Sequence, residues 1–282
     1  QRAKQLQAVH TALQQGVRMA PGQAPVATMA GTVAVPTGES EDPKQRDGKP
    51  RPGVNFLLPY NRSHFHPEWV RGTSKEFQTL PVSLNPLTSN LASAGSARGL
   101  INESLCDQHP LTPSLWSENL ARSVRILDDY KLFVFTIRPG VLWQRPNLPD
   151  QAKYAWLAKD VELTAEDFVF ALDMINNPEV KCGHLKQYYA NVKGFALDRH
   201  TLLLRWSAKE YTNIAVSLGL TPLPRHVYAN NADGTPIPEH LLGVSMNKHW
   251  FDDEHQLIGV GRYRLEKFVP DQSISFVRDQ YF

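Results

Sequence analysis

The side chains best suited to metal chemistry in this sequence do not form a convincing site. The histidines of His64-x-His66 are two residues apart, so on a strand they would share a face. No third ligand is evident near them, and we therefore predict no metal there. Cys106 and Cys182 lack the Cys-x-x-Cys spacing that is typical of zinc sites. Two cysteines permit one disulfide, but we expect these two to remain unbonded.

Catalytic groupings are also missing. Asp128-Asp129 and Glu166-Asp167 are acidic pairs, but adjacent residues on a strand point apart and would not form a carboxylate dyad. The sequence contains no His-Glu-x-x-His, no Gly-x-Ser-x-Gly and no phosphate-binding loop. Gly259-Val-Gly261 lacks the third glycine of a dinucleotide site and predicts a turn into a strand. The sequence therefore indicates a non-enzymatic protein without a cofactor.

The composition of the chain limits the classes of non-enzymatic protein to which it can belong. The chain has 282 residues, of which 41% are hydrophobic and 21% charged, enough for one large or two small domains. Its net charge of +2 gives no field that would favour nucleic acid. No apolar run is long enough to span a membrane.

Two neighbouring elements dominate the pattern. Along Leu132–Arg138, Phe133, Phe135 and Ile137 occupy every second position, and such a period of two with β-branched and aromatic residues predicts a strand over Tyr130–Ile137. Pro139-Gly140 interrupts this strand before the short apolar run to Trp143. Thr164, followed by Glu166 and Asp167, has the form of a capping box. A helix should follow to Ile175, because its apolar residues have helical spacing and Pro178 marks the end.

These residues, with others in the same order, resemble the extracellular solute-binding proteins of the oligopeptide, dipeptide and nickel class (family 5). Proteins of that family are the substrate receptors of ABC importers. Five segments, spread over about 72–282, carry the resemblance: Ser83-Leu-Asn-Pro86, Phe135-Thr-Ile-Arg138 with Val141-x-Trp143, Leu163-Thr-Ala-Glu-Asp-Phe168, Asp198-x-x-Thr201, and Gly259-x-Gly-x-Tyr263.

The chain departs from the family pattern in two places. Pro139-Gly140 stands where Asp-Gly is usual, and residues 144–161 are inserted before the helix. We predict that the insertion is a surface loop with one helical turn at most.

The resemblance implies an α/β fold, a periplasmic-binding-protein-like (type II) lobe with a mixed sheet and a small α+β subdomain. It implies a discontinuous first lobe in 71–106 and 195–282 and an inserted subdomain in 107–194. For 1–70, the helical spacing of apolar residues in 1–20 and the Pro- and Gly-rich composition of 21–52 predict a helix and a linker. The second lobe of the family is expected to lie outside this sequence. The strands Glu76–Leu80, Leu202–Trp206 and Arg262–Phe268 should share one sheet.

The resemblance also implies where solute binds. The loop after the Ser-Leu-Asn-Pro motif, formed by Ser89, Asn90, Leu91 and Ala92, is expected to offer backbone groups to a peptide. A second position, counted from Asn177-Pro178, falls near His184. Two other roles stay open: Asn90 as a helix N-cap or turn residue, and His184 as a surface histidine.

The implied function is extracytoplasmic solute binding, with a peptide as solute and an ABC permease as membrane partner. The protein would be a monomer in the periplasm or on the outer face of the cytoplasmic membrane, where a lipid could anchor it. The alternative is a sensory or interaction module that keeps the fold without transport.

Overall fold

The computed structural model describes residues 81–109 and 114–279. The predicted strand Glu76–Leu80, the expected helix and linker of 1–70 and the pair His64-x-His66 therefore lie outside the described residues. Within them, no helix is long and apolar enough to cross a membrane.

A four-stranded antiparallel sheet lies at the centre of the described residues, in the order β3-β4-β6-β5. Two further antiparallel pairs, β1-β2 and β7-β8, stand apart from it. The strands are β1 (Cys106–Gln108), β2 (Trp116–Glu118), β3 (Ala121–Leu127), β4 (Leu132–Ile137), β5 (Val192–Ala196), β6 (Thr201–Trp206), β7 (Tyr263–Val269) and β8 (Ser273–Arg278).

The predicted strands that fall within the described residues exist, but one predicted partnership is wrong. Leu202–Trp206 does not share a sheet with Arg262–Phe268, because β6 pairs with β4 and β5 whereas β7 pairs with β8. In the β4–β6 pair Phe135 lies opposite Leu202, and both side chains enter the main core. Alternation along a strand predicts which face is apolar, but it says nothing about which distant strand supplies the matching apolar face.

Seven α-helices lie in the described residues: α1 (Ala92–Ile101), α2 (Ala165–Asn176), α3 (Gly183–Tyr189), α4 (Asn213–Leu218), α5 (Arg225–Tyr228), α6 (Leu242–Met246) and α7 (Trp250–Asp253). Helix α1 ends at Ile101, and the Asn102 N–H donates to the Arg98 carbonyl. Before α4, Tyr211 is 96% exposed. In the first turn of α4, the buried Asn213 side chain donates to the carbonyls of Tyr130 and Ala208.

Helix α2 covers one face of the sheet. Its predicted capping box is confirmed, with Asp167 at the third position accepting from the backbone N–H of Thr164 at 2.9 Å. Phe168, Val169 and Leu172 pack against the sheet. The approach is close at Gly194 of β5, where a Cβ atom would lie 2.9 Å from a methyl group of Leu172.

The turn between β3 and β4 takes the first acidic pair out of the strand. Asp128, Asp129 and Tyr130 all have positive φ, between 49° and 66°, and Lys131 N–H closes the turn on the Asp128 carbonyl at 3.1 Å. The predicted strand over Tyr130–Ile137 therefore begins at Leu132. The Asp128 and Asp129 side chains point into solvent, where they pair with Lys131 and Lys209.

The insertion 144–161 is packed more deeply than the predicted surface loop. It contains the one expected helical turn, a 3₁₀ turn at Ala155–Leu157. Tyr154 is buried and stacks on Trp250 with ring centroids 5.2 Å apart. Trp156 donates its indole N–H to the Ala232 carbonyl at 3.1 Å. The large apolar side chains of the insertion pack in one core cluster with residues of the segment 228–254. The insertion has no regular spacing of apolar residues, so the sequence pattern did not predict this burial.

Both cysteines are buried and free, as predicted. Cys106 lies on β1 in the main core, and Cys182 precedes α3 in a second core cluster. Burial raises the pKa of the Cys106 thiol well above its usual range, so this thiol is poorly reactive.

A carboxylate ties two loops together at one end of the sheet. Glu162 accepts hydrogen bonds from Gly140 N–H at 2.8 Å, from Arg199 and from His200. These contacts, the Gly140 N–H first, lower the pKa of Glu162 to about 2. Because the folded-state pKa is depressed, the stabilisation is present above the ordinary carboxyl pKa and is lost as the pH falls toward 2.

We therefore expect Glu162→Gln to lower the Tm modestly at neutral pH and to have no effect near pH 2. Thermal unfolding followed by circular dichroism across this pH range measures the difference. Glu266→Gln, at an exposed position on β7, is the matched control and should match the parent protein throughout. If Glu162→Gln lowers the Tm near pH 2 as much as at neutral pH, the charge of Glu162 is not the source of its stabilising effect.

Candidate functional site

Asn85 organises the loop on which the predicted site rests. This side chain is only 1% exposed. Its Oδ1 atom accepts from the backbone N–H groups of Leu87 and Thr88 at 3.0 and 2.9 Å, and its Nδ2 atom donates to the Met246 carbonyl and to Asp252. The asparagine of the Ser-Leu-Asn-Pro motif therefore shapes the turn and fixes it to the body of the protein.

The four predicted residues Ser89, Asn90, Leu91 and Ala92 follow this turn and lead into α1. Ser89 N–H still bonds to the Asn85 carbonyl at 3.4 Å. Among the described residues, nothing accepts a hydrogen bond from the N–H groups of Asn90, Leu91 or Ala92. Asn90, Leu91 and Ala92 are exposed. The loop therefore presents a row of backbone donors, which is the chemistry that an extended peptide requires.

The first turn of α1 extends this row. Leu91 is the N-cap residue, so the N-cap role that remained open for Asn90 is not observed, and no side chain caps the helix. No acidic residue lies in the first turn. An uncapped helix start leaves donors unpaired and a partial positive charge at the loop, which favours a carbonyl or carboxylate oxygen there.

Arg98 lies one and a half turns further along α1 and was not predicted. Its guanidinium donates to the Asn85 carbonyl at 3.3 Å, and no carboxylate within the described residues pairs with it. Burial lowers its pKa from the ordinary value. Arg98 is the only charged residue in 87–102, a signal that could have drawn attention to it.

His184 is half-buried at the second position of α3. Its pKa is lowered, first by burial and then by the charge of Arg98. The second predicted site position and α1 are therefore within electrostatic reach of each other. Partial burial distinguishes His184 from a fully exposed surface histidine, and the charge of Arg98 acts on its imidazole ring.

The wall behind the loop consists of buried polar and aromatic side chains. Asp252 of α7 meets Asn85, with Nδ2 and Oδ2 2.6 Å apart. Tyr228 packs on His249 with ring centroids 4.8 Å apart. Burial raises the pKa of Asp252 to about 7 and lowers that of His249 to about 4. No sequence motif marks these residues, because they are brought to Asn85 only by tertiary structure.

Metal binding has no support in this region. In the part of the chain that the structure describes, no group of three or more histidine, cysteine or acidic side chains could hold a metal ion. The arrangement is suited instead to hydrogen bonding with a solute through backbone N–H groups and one guanidinium.

Comparison with solved structures identifies the fold. The chain resembles the oligopeptide-binding protein AppA from Bacillus subtilis in complex with a nonapeptide, with TM-score 0.55 and 18% identity over 71% of this chain and 34% of that one. It also resembles the periplasmic binding protein DppA from Helicobacter pylori in complex with the peptide STSA, with TM-score 0.51 and 19% identity over 72% and 38% of the two chains.

A third structure, the binding protein MoaA from A. tumefaciens R10 with mannopinic acid, gives TM-score 0.50 and 22% identity over 71% and 35%. The chain thus spans little more than a third of the length of these proteins. At such identities the likeness shows the fold alone, and it confirms the predicted α/β, type II periplasmic-binding-protein-like class. The mixed sheet expected for this class is not seen among the described residues, whose strands pair only in antiparallel fashion.

No curated protein sequence matches the chain significantly. A family model does, over residues 116–282, which is more than half of the sequence. The model describes the middle part of the bacterial extracellular solute-binding proteins, family 5, a family of binding proteins rather than enzymes. The predicted resemblance is confirmed, and the chain belongs to the family 5 extracellular solute-binding proteins.

Proposed function

We propose that this chain forms one lobe of an extracytoplasmic solute receptor that delivers peptides to an ABC permease. The observation that supports this most directly is the row of exposed backbone donors at Asn90–Ala92, fixed in place by Asn85. Backbone donors recognise the direction and length of a peptide without selecting its side chains. The complexes of the Bacillus subtilis and Helicobacter pylori proteins with peptides support the same solute class.

Arg98 refines the proposal. A desolvated guanidinium without a carboxylate partner among the described residues favours an anionic group on the solute. The peptide carboxylate is the simplest such group. His184, on the Arg98 side of the site, would then border the solute without carrying its charge.

The domain division is part of the proposal. The resemblance places the first lobe in 71–106 and 195–282 and the inserted subdomain in 107–194, but the central sheet crosses that boundary, because β5 (Val192–Ala196) spans it and β6 pairs with β4. We propose that this chain forms one lobe and that the opposing lobe is supplied by chain outside this sequence. Each lobe of such a receptor contributes one wall, and closure of the lobes buries the solute. One lobe alone makes about half of the contacts, while the solute still loses its freedom of motion.

Calorimetry of the complete receptor and of this chain, each titrated with a pool of dipeptides and a pool of three- to nine-residue peptides, tests the proposal. We expect binding by the complete receptor and weak or undetectable binding by the chain alone. Sub-micromolar binding by the chain alone would refute the divided site. Failure of every peptide to bind the complete receptor would refute the peptide assignment and favour a module without a transport function.

The loop Ser89–Ala92, which we name the solute loop, is tested by Asn90→Pro in the complete receptor. Proline removes one backbone donor, so we expect Kd for peptide to weaken by about 5-fold to 10-fold, the effect of about one hydrogen bond. Asn90→Ala keeps the N–H and removes only the side chain, and should leave Kd nearly unchanged. Equal affinity in both variants, with Tm unaltered, would exclude the Asn90 N–H from the site.

A further inference from the structure

The Asn85 side chain connects the turn that precedes the solute loop to one carboxylate. On one side, its Oδ1 atom receives the N–H groups of Leu87 and Thr88. On the other side, its Nδ2 atom donates to Asp252 Oδ2 at 2.6 Å and to the Met246 carbonyl at 3.0 Å. The amide is rigid and planar, so whatever holds Nδ2 also fixes Oδ1. The position of the turn therefore depends on how firmly α7 holds Asn85.

Asp252 is an unusual acceptor in this position. Its Oδ2 atom binds Asn85, while its Oδ1 atom is buried and has no hydrogen-bond partner among the described residues. A carboxylate with one idle, buried oxygen can take a proton on that oxygen without losing the bond made by the other. The hydrogen bond from Asn85 is thus present whether Asp252 is ionised or neutral, but its strength differs between the two states.

The surroundings determine which state prevails. The neighbours of Asp252 on its own and adjoining elements are Asp253, His249, Tyr228, Lys248, His255 and, beyond Tyr228, Arg98. Burial disfavours the ionised form and raises the pKa of Asp252 to about 7. The bond from Asn85 and the nearby backbone N–H of His249 oppose this shift, and the charge of Asp253 adds to it. His249 is buried and neutral at that pH, because its own pKa is about 4.

A cavity of about 270 Å³ gives solvent a route to this carboxyl. Ser83, Thr88, Asp252 and Asp253 lie on its wall together with Lys248 and His255. The same cavity therefore touches both the turn, at Thr88, and the carboxylate that holds it. Protons can exchange with Asp252 without unfolding of the surrounding core.

We propose that Asp252 is a positioning residue for solute binding, which acts through Asn85 on the solute loop 89–92. The proposal rests on the solute-binding function proposed above. Charge-assisted hydrogen bonds are roughly twice as strong as neutral ones. The ionised form of Asp252 therefore holds Asn85, and with it the donors of Asn90–Ala92, more firmly than the neutral form does.

The direction of the stability effect is opposite to that of the binding effect. The folded-state pKa of Asp252 lies above its usual value, so its stabilising contribution is complete below pH ~4 and is lost as the pH rises through about 7. Ionisation thus weakens folding while it tightens the hold on Asn85. A residue with a purely structural role would move stability and solute affinity in the same direction.

Asp252→Asn imitates the neutral acid and supplies the test. In the complete receptor, with the best-binding peptide of the two pools, we expect the parent protein to bind about fivefold more weakly at about pH 5.5 than at about pH 8.5. Asp252→Asn should bind weakly at both pH values, with an unchanged or raised Tm at the higher pH. Asp253→Asn is the matched control and should keep most of the pH dependence. His184→Gln, made in parallel, shows how much of the pH dependence of peptide binding is due to that histidine.

A measurement without solute keeps this test independent of the proposed function. In the isotopically labelled chain, the amide resonances of Leu87 and Thr88 should shift with pH along a single titration curve, with its midpoint near the pKa of Asp252, about 7. The curve should disappear in Asp252→Asn. Flat resonances in the parent protein, or a peptide affinity whose pH profile is the same in Asp252→Asn, would overturn the positioning role. Titrating resonances with no peptide binding would overturn the proposed function alone.

Discussion

Gly259→Ala is expected to destabilise the protein by about 4 kcal/mol and to lower the Tm by about 10 °C. A Cβ atom at Gly259 would lie 2.3 Å from the carbonyl oxygen of Ile101, at the end of α1. That oxygen is part of the backbone and also accepts the Gly261 N–H at 2.6 Å, so it cannot move aside without breaking this bond.

The clash extends to a second buried contact. Gln144 donates from its backbone N–H to the Gly259 carbonyl at 2.9 Å and accepts the Gly259 N–H on its side chain at 3.2 Å. Its amide also donates to the Gly261 carbonyl at 2.9 Å. A shift of the strand entry at Gly259 would leave several of these buried groups unpaired, and each would cost about 1 to 3 kcal/mol.

Gly99→Ala is the matched control for this prediction. Gly99 lies in α1, and no atom lies within 4 Å of the Cβ that alanine would add. Because alanine has the higher helix propensity, we expect unchanged or slightly raised stability, by at most about 1 kcal/mol. Denaturant unfolding of both variants measures the difference. A Gly259→Ala protein as stable as the Gly99→Ala protein would contradict the close packing of 259–261 on α1.

The parts of the fold that the sequence predicted correctly are those specified by near neighbours. The capping box at Thr164 and Asp167 and the helix that follows need only residues three or four apart. The strand predicted at Arg262–Phe268 is likewise found, as β7, and its partner β8 follows after a short turn. The Gly259-Val-Gly261 motif was interpreted correctly as an entry to a strand, although the contact with α1 that requires glycine was not foreseen.

The parts that could not be predicted depend on residues far apart in sequence. Strand β6 joins β4 because their apolar faces match in the folded chain, and alternation alone does not encode that choice. In the candidate site, the loop at Ser89–Ala92 was placed by a motif, but Asp252 is 167 positions from Asn85. It lies in a short helix without a recognisable pattern. A buried asparagine requires hydrogen-bond partners, but the burial of Asn85 is itself a property of the folded chain.

Asn85→Ala is the prediction with the largest expected effect on function. Alanine leaves the N–H groups of Leu87 and Thr88 without their acceptor, and it leaves Asp252 Oδ2 and the Met246 carbonyl without their donor. Some of these groups will recover water through the cavity beside Asp252. We expect a loss of about 3 kcal/mol in the free energy of unfolding and at least about tenfold weaker peptide binding in the complete receptor, because the donors of 90–92 are no longer fixed.

Asn191→Ala is the control for this substitution, since the Asn191 side chain is exposed and makes one long hydrogen bond, to Glu210 at 3.3 Å. It should change the free energy of unfolding by less than about 0.5 kcal/mol and leave peptide affinity unchanged. Calorimetry below the Tm of both variants separates affinity from stability. If Asn85→Ala is destabilised as expected and still binds peptide with the parent Kd, the turn supports the fold alone, and the solute must be bound elsewhere on the lobe.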